Sequence, residues 1–153
     1  MTRFEAQDPE FETRIRDSFV RQKVMGLIGA RLARVEPGRV EIELPFRDDL
    51  TQQHGFFHAG IVGTIADSAG GYAGYTLMPA GSSVLSVEYK INLMAPADGE
   101  RLRATGQVVR AGRTITVCDL EVVVVKAGVE TLCARGMQTL ICRERGPRGA
   151  APG

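Results

Sequence analysis

The sequence predicts an α+β fold: one curved antiparallel β-sheet wrapped around a long central helix, with a further helix at the N-terminus. Three observations carry that expectation. The chain has 153 residues, 44% of them hydrophobic, which is enough for one domain with a real core and too few for two ordinary ones. Its periodic segments run in the order two strands, one long helix, four strands. Charged residues make up 24% of the chain, yet between Leu50 and Val87 only Asp67 carries a formal charge.

Each element has its own warrant. Pro9 to Gly29 is expected to be helical, since Pro9 suits a first turn and Phe11, Ile15, Phe19 and Val24–Met25 recur on one face. Arg31 to Val35 and the strictly alternating Val40 to Leu44 flank a Glu36-Pro37-Gly38 turn and read as a β-hairpin that Pro45 ends. The central helix starts near His58. Ile61, Ile65, Ala69 and Tyr72 share one line, with Val62, Ala66 and Ala73 beside it, so the helix is apolar nearly all round and is expected to be buried. Gly63, Gly70, Gly71 and Gly74 weaken it by up to about 1 kcal/mol each relative to Ala. They read first as close packing and second as room for a substrate.

After Pro79-Ala80-Gly81, four strand-like runs follow, over Ser83–Met94, Leu102–Arg110, Thr114–Lys126 and Val129–Arg143, with turns at Pro96–Gly99, Ala111–Arg113 and Ala127-Gly128. In the first run Leu85, Val87, Tyr89, Ile91 and Leu93 alternate against Ser86, Glu88, Lys90 and Asn92. The expected organisation is an N-terminal helical segment over residues 1–25, the main domain over 26–145 and a disordered tail over 146–153.

Composition narrows the function classes. Nineteen basic against eighteen acidic residues leave a net charge of +1, which argues against a general nucleic-acid surface. Arg101, Arg103, Arg110 and Arg113 tilt one region basic, either as a solvated strand face or toward an anionic ligand. The three cysteines, Cys118, Cys133 and Cys142, are odd in number, lack metal-ligand spacing and read as small buried hydrophobes. With no signal-peptide pattern and no apolar run of membrane-spanning length, a reducing, cytoplasmic location is expected.

The chemistry concentrates around the central helix. No Lys or Arg stands within four residues of Asp67, so no local ion pair offsets the desolvation of its carboxylate. Such an acid can activate water or attack a carbonyl carbon. The loop before the helix, Leu50 to Gly60, holds both histidines, His54 and His58. The amides near Ala59 and Gly60, at the positive end of the helix dipole, can bind a developing oxyanion. Gln52 can add an amide donor or orient a water, and the neighbouring Gln53 could do the same in another loop register. These parts suit acyl transfer to water. A thioester fits them well, because a thiolate leaves with little acid assistance. A Ser-His-Asp elbow, a Walker A loop and a dinucleotide fingerprint are all missing from the sequence.

Gln52, Gly55, His58-Ala59-Gly60 and Asp67, followed by Ser86 and the run Tyr89 to Pro96, resemble the hotdog-fold acyl-CoA thioesterases, in particular their phenylacetate-pathway, PaaI-like branch. The resemblance spans roughly Gly26 to Arg143. It implies a hotdog fold, acyl-CoA hydrolysis, and dimers that usually pair again into tetramers; no metal or bound cofactor is expected. Because Asp67 lies eight residues beyond Ala59, about 12 Å along the helix, the two are expected to serve one reaction only from different subunits, in a homodimer with shared active sites. The resemblance makes Asp67 the catalytic carboxylate, Gln52 the amide residue before the helix and Ala59 the oxyanion amide. It also makes Ser86 a hydroxyl that positions water, with His58 beside the oxyanion amide in an orienting role. Gly60 and Gly71 would line the substrate, and Arg113 and Thr114 would meet the coenzyme A phosphates on grounds of charge and analogy. The family's usual His-Gly-Gly is His58-Ala59-Gly60 here, which a backbone donor tolerates. Two rival readings are a non-catalytic acyl-CoA sensor and a hotdog hydratase or dehydratase. The first usually carries a DNA-binding module, for which Met1 to Val24 is too short. The second needs a histidine placed for β-carbon chemistry, whereas here the helix carries Asp67 alone.

Overall fold

The structure, a computed structural model, describes residues 3–144. The expected tail at 146–153 lies outside the described residues. Two helices open the chain: α1 spans Phe11–Arg21 and α2 spans Lys23–Ile28. The single helix expected from Pro9 to Gly29 is therefore divided. Gln22 takes an extended backbone (φ −76°, ψ 94°), ending α1 and starting α2, and its side-chain carbonyl accepts a 3.3 Å hydrogen bond from Ser68 on the central helix. Periodicity carried no sign of this tertiary contact. Ile15 of α1 and Met25 and Ile28 of α2 are buried in the core.

The strands are β1 (Arg31–Glu36), β2 (Arg39–Pro45), β3 (Ser82–Leu93), β4 (Arg101–Ala111), β5 (Ile115–Lys126) and β6 (Val129–Glu144), with the central helix α3 at Ala59–Tyr75 between β2 and β3. They form one antiparallel sheet in the order β1-β2-β4-β5-β6-β3. The α+β expectation holds, helix and strand order included. Gly38 permits the tight β1–β2 turn with φ 77°.

One face of the sheet packs on α3. Val40, Ile42 and Leu44 of β2, Leu102 and Ala104 of β4, and Cys118, Leu120 and Val122 of β5 meet Val62, Ile65, Ala66, Ala69 and Ala73 in one core. The helix lies very close to the strands. A Cβ at Gly106 of β4 would fall 2.3 Å from the Ala69 carbonyl, and one at Gly74 would fall 2.3 Å from Leu140 Cδ1. The helix glycines facing the sheet are thus packing positions. Gly71 differs, because a Cβ there would meet open space.

Two expectations need correction. The central helix is not buried all round, because the sheet covers only one side of it. Ile61, Thr64, Asp67, Gly71 and Tyr75 form a stripe left partly open, and Ala59 and Gly60 at its start are exposed. The simple alternation of β3 also fails. A β-bulge between Ser86 and Glu88 shifts its register against β6, so the parity of its faces changes at Val87. Ser86 before the bulge reaches Asp67, and Tyr89 after it lies beside Gly63, both on α3. Val87 and Leu93, on this strand at the edge of the sheet, are 57% and 55% exposed, and Met94 just past its end is 59% exposed.

Candidate active site

The start of α3 is built by His58. Its backbone is extended, as a residue capping a helix requires, and its Nδ1 accepts the Gly60 N–H at 2.8 Å. That bond places the ring proton of the neutral imidazole on Nε2. It also corrects one expectation: the Gly60 amide is already engaged and is not free for an oxyanion. The Ile61 and Val62 amides donate to the His58 carbonyl. Among the described residues the Ala59 N–H has no acceptor, and it remains the available donor at the positive end of the helix. A Cβ at Gly60 would stand 3.0 Å from His58 Nδ1, so a glycine there lets the imidazole approach.

Gln52 closes the preceding turn. Its N–H donates to Phe56 O, its carbonyl accepts from Gly55 N, and its side-chain oxygen accepts from the His54 N–H. With Oε1 held on that amide, the Gln52 side-chain nitrogen is the end left to donate. Gln52 and Ala59 line one cavity of about 480 Å³ with Phe56, Phe57, Met94 and Pro96. Gln53 is exposed and lies outside it.

Asp67 stands eight residues further along α3 and opens onto a different cavity, of about 350 Å³, lined also by Ser18, Arg21, Gln22, Gly71 and Ser86. It is half-buried rather than buried, and it is not isolated. Ser86 Oγ donates to Asp67 Oδ1 at 2.7 Å, and Gln138 Nε2 donates to the same oxygen at 2.6 Å. Sequence reasoning missed Gln138. The available signal was its place in β6, where Ala134, Gly136, Gln138, Leu140 and Cys142 alternate on one face and Gln138 is the single large polar member.

Other candidates fall elsewhere. Arg113 and Thr114 are exposed in the β4–β5 turn and line neither cavity. The four arginines are not one cluster: Arg103 pairs with Glu130 at 2.6 Å, Arg101 lies 3.8 Å from Glu43, and Arg110 stands nine residues along β4 from Arg101. Cys133 lines the Gln52 cavity, but burial pushes its thiol up to about 11, and that of Cys118 up to about 12. Both stay protonated, weakly nucleophilic and free of disulfides. Among the described residues no three His, Cys, Asp or Glu side chains converge on a point where they would hold a metal, and no helix is long and apolar enough to cross a membrane.

A sheet wound on one long helix defines a hotdog domain, and here it carries an amide donor at the helix start and a hydrogen-bonded carboxylate two turns on. The family model for the thioesterase superfamily matches residues 54–131, and the chain belongs to that family. A thioesterase family protein from Silicibacter pomeroyi is 45% identical, covering 88% of this chain and 99% of its own, at a TM-score of 0.87. A Haemophilus influenzae thioesterase is 19% identical over 84% of this chain and 88% of its own, at TM-score 0.75. The E. coli PaaI protein, from the phenylacetic acid degradation operon, is 18% identical over 90% and 94%, also at 0.75. At that identity the last two share the fold.

Proposed function

We propose that this protein is a cytoplasmic acyl-CoA thioesterase of the PaaI-like branch, acting as a homodimer and needing no metal or bound cofactor. The observation that carries the reading is the division of the site. Ala59 and Gln52 line one cavity and Asp67 another, and the two lie about 12 Å apart along α3 at 1.5 Å per residue. One thioester carbon cannot meet both ends of one helix. Two chains with their α3 helices antiparallel across a two-fold axis would bring each Ala59 end to the partner's Asp67, forming two equivalent sites. The open stripe on α3 and the apolar edge of β3 are the surfaces such a pairing would cover.

In each shared site the Ala59 amide and the Gln52 amide of one chain receive the thioester oxygen as it gains charge. Asp67 of the other chain takes a proton from water, whose oxygen bonds the acyl carbon, or bonds that carbon itself and is released by water afterwards. The C–S bond breaks, the pair of electrons leaves with sulfur, and a proton from the water restores the thiol. His58 holds the helix start in place, and Gly71 leaves room beside Asp67. The products are a carboxylate and coenzyme A. A dimer of dimers, with Arg113 and Thr114 on the coenzyme A phosphates, completes the proposal.

Thiol release from acetyl-, hexanoyl-, palmitoyl- and benzoyl-CoA tests it. At least one should be cleaved catalytically. Tight binding of several with no thiol released would replace the enzyme with an acyl-CoA sensor.

A further inference from the structure

Gln138 is wholly buried, and its amide is spent on two other side chains of the site. Nε2 lies 2.6 Å from Asp67 Oδ1, 2.9 Å from Ser86 Oγ and 3.1 Å from the Asp67 carbonyl. All three can accept. Turning the amide over would set its oxygen against a carboxylate and a carbonyl, so the nitrogen must face Asp67. The opposite end shows the consequence: Gln138 Oε1 is buried with no hydrogen-bond partner. It sits over Gly70, where a Cβ would fall 2.0 Å from it. A leucine or methionine on this face of β6 would leave no orphaned carbonyl, so packing alone does not explain a glutamine here.

The donors run in one direction. One Gln138 hydrogen goes to Ser86 Oγ and the other to Asp67, so the single Ser86 proton is directed to Asp67 Oδ1. Oδ1 then holds two donors, and among the described residues none reaches Oδ2. We propose that Gln138 is a positioning residue for thioester hydrolysis, fixing the Asp67 carboxylate so that Oδ2 alone is presented to the reacting carbon or water. This rests on Asp67 being the reacting acid.

The test compares wild type, Gln138→Met, Gln138→Glu and Asp67→Asn on whichever of acetyl-, hexanoyl-, palmitoyl- and benzoyl-CoA is cleaved fastest, with kcat and KM measured and melting temperature recorded. Gln138→Met keeps length and removes the donor. Its kcat should fall about tenfold with KM changed less than about twofold. Gln138→Glu keeps the shape but sets a second carboxyl beside Asp67, and should lower kcat at least as far. A folded Gln138→Met with wild-type kcat overturns the proposal, as does a loss confined to KM. Should Gln138→Met fail to fold, Gln138→Glu decides by the same split between kcat and KM, and misfolding of both makes the residue structural and also overturns it. Asp67→Asn separates the two readings. If it is inactive while Gln138→Met keeps the wild-type kcat, only the role of Gln138 is lost; if it turns over normally, the Asp67 reading falls first.

Discussion

Replacing Asp67 with Asn keeps the shape of the side chain and the acceptor that Ser86 and Gln138 use, while removing the charge and the free oxygen. Turnover is expected to fall by orders of magnitude with no loss of melting temperature, because among the described residues Asp67 forms no ion pair that the amide would give up. Near-normal kcat in this variant would take Asp67 out of the mechanism. Gln52→Ala should cost about 10-fold to 1,000-fold in kcat, the range for one lost donor to a developing oxyanion, and Gln53→Ala should cost much less. The opposite ranking would mean that the exposed glutamine is the working one. The buried thiols make a different prediction. Cys118 is pushed up to about 12 by burial from an ordinary 9.0, so its neutral form stabilises the fold fully below about pH 9. That contribution is lost as pH rises from about 9 toward 12, at up to about 1.4 kcal/mol per unit. Denaturant unfolding at about pH 8 and pH 11 should show a shallower loss in Cys118→Ala than in wild type. Equal slopes would show that the thiol is not linked to folding.

At the level of the element, the β5–β6 turn carries strain that a substitution can relieve. Ala127 sits at φ 49° and Gly128 at 77°, a pair of left-handed residues suited to a two-residue hairpin turn. The alanine Cβ is crowded there, whereas Asn tolerates the conformation. The Ala127 N–H donates to Glu100 Oε1 at 3.0 Å, a backbone bond that Ala127→Asn retains. The variant should be more stable by roughly 0.5–1 kcal/mol, a rise of a few degrees in melting temperature. Ala127→Val should move the other way, and calorimetry that finds the two variants alike would contradict the strain. The bulge at Val87 matters more to function. Without it, Ser86 and Tyr89 would lie on opposite faces of β3, and only one of them could reach α3.

For the whole molecule the shared site makes a quantitative prediction. Asp67→Ala chains alone should be inactive and Gln52→Ala chains alone at most about a tenth as active as wild type, and mixing the two should raise activity above either. In a mixed dimer one site takes Gln52 and Ala59 from the first variant and Asp67 from the second, while the other site carries both lesions. Random reassortment makes half the dimers mixed, so about a quarter of wild-type activity should return. If mass measurement confirms subunit exchange and activity does not rise, Asp67 must work with donors of its own chain. The same model gives the β3 edge its purpose. Val87→Lys, on an exposed apolar strand that lines neither cavity, should lower activity in step with loss of dimer, read by sedimentation across protein concentration.

The architecture was legible because its signals are local. Strand alternation, turn residues and a helix with a single charged residue are properties of neighbouring positions, and they placed all six strands and α3. The lone charge of Asp67 and the amides at the start of α3 were visible as well, one from its surroundings and the others from their place on the helix. What tertiary structure alone decided depends on long-range pairing. The break at Gln22 answers to Ser68, and the β3 bulge depends on register against β6. Gln138 lies 71 residues from the acid it holds. A single polar residue in an alternating strand looks like a packing irregularity until the sheet folds over the helix, and the two donors on Asp67 Oδ1 exist only because that closure brings β3, β6 and α3 within hydrogen-bonding distance.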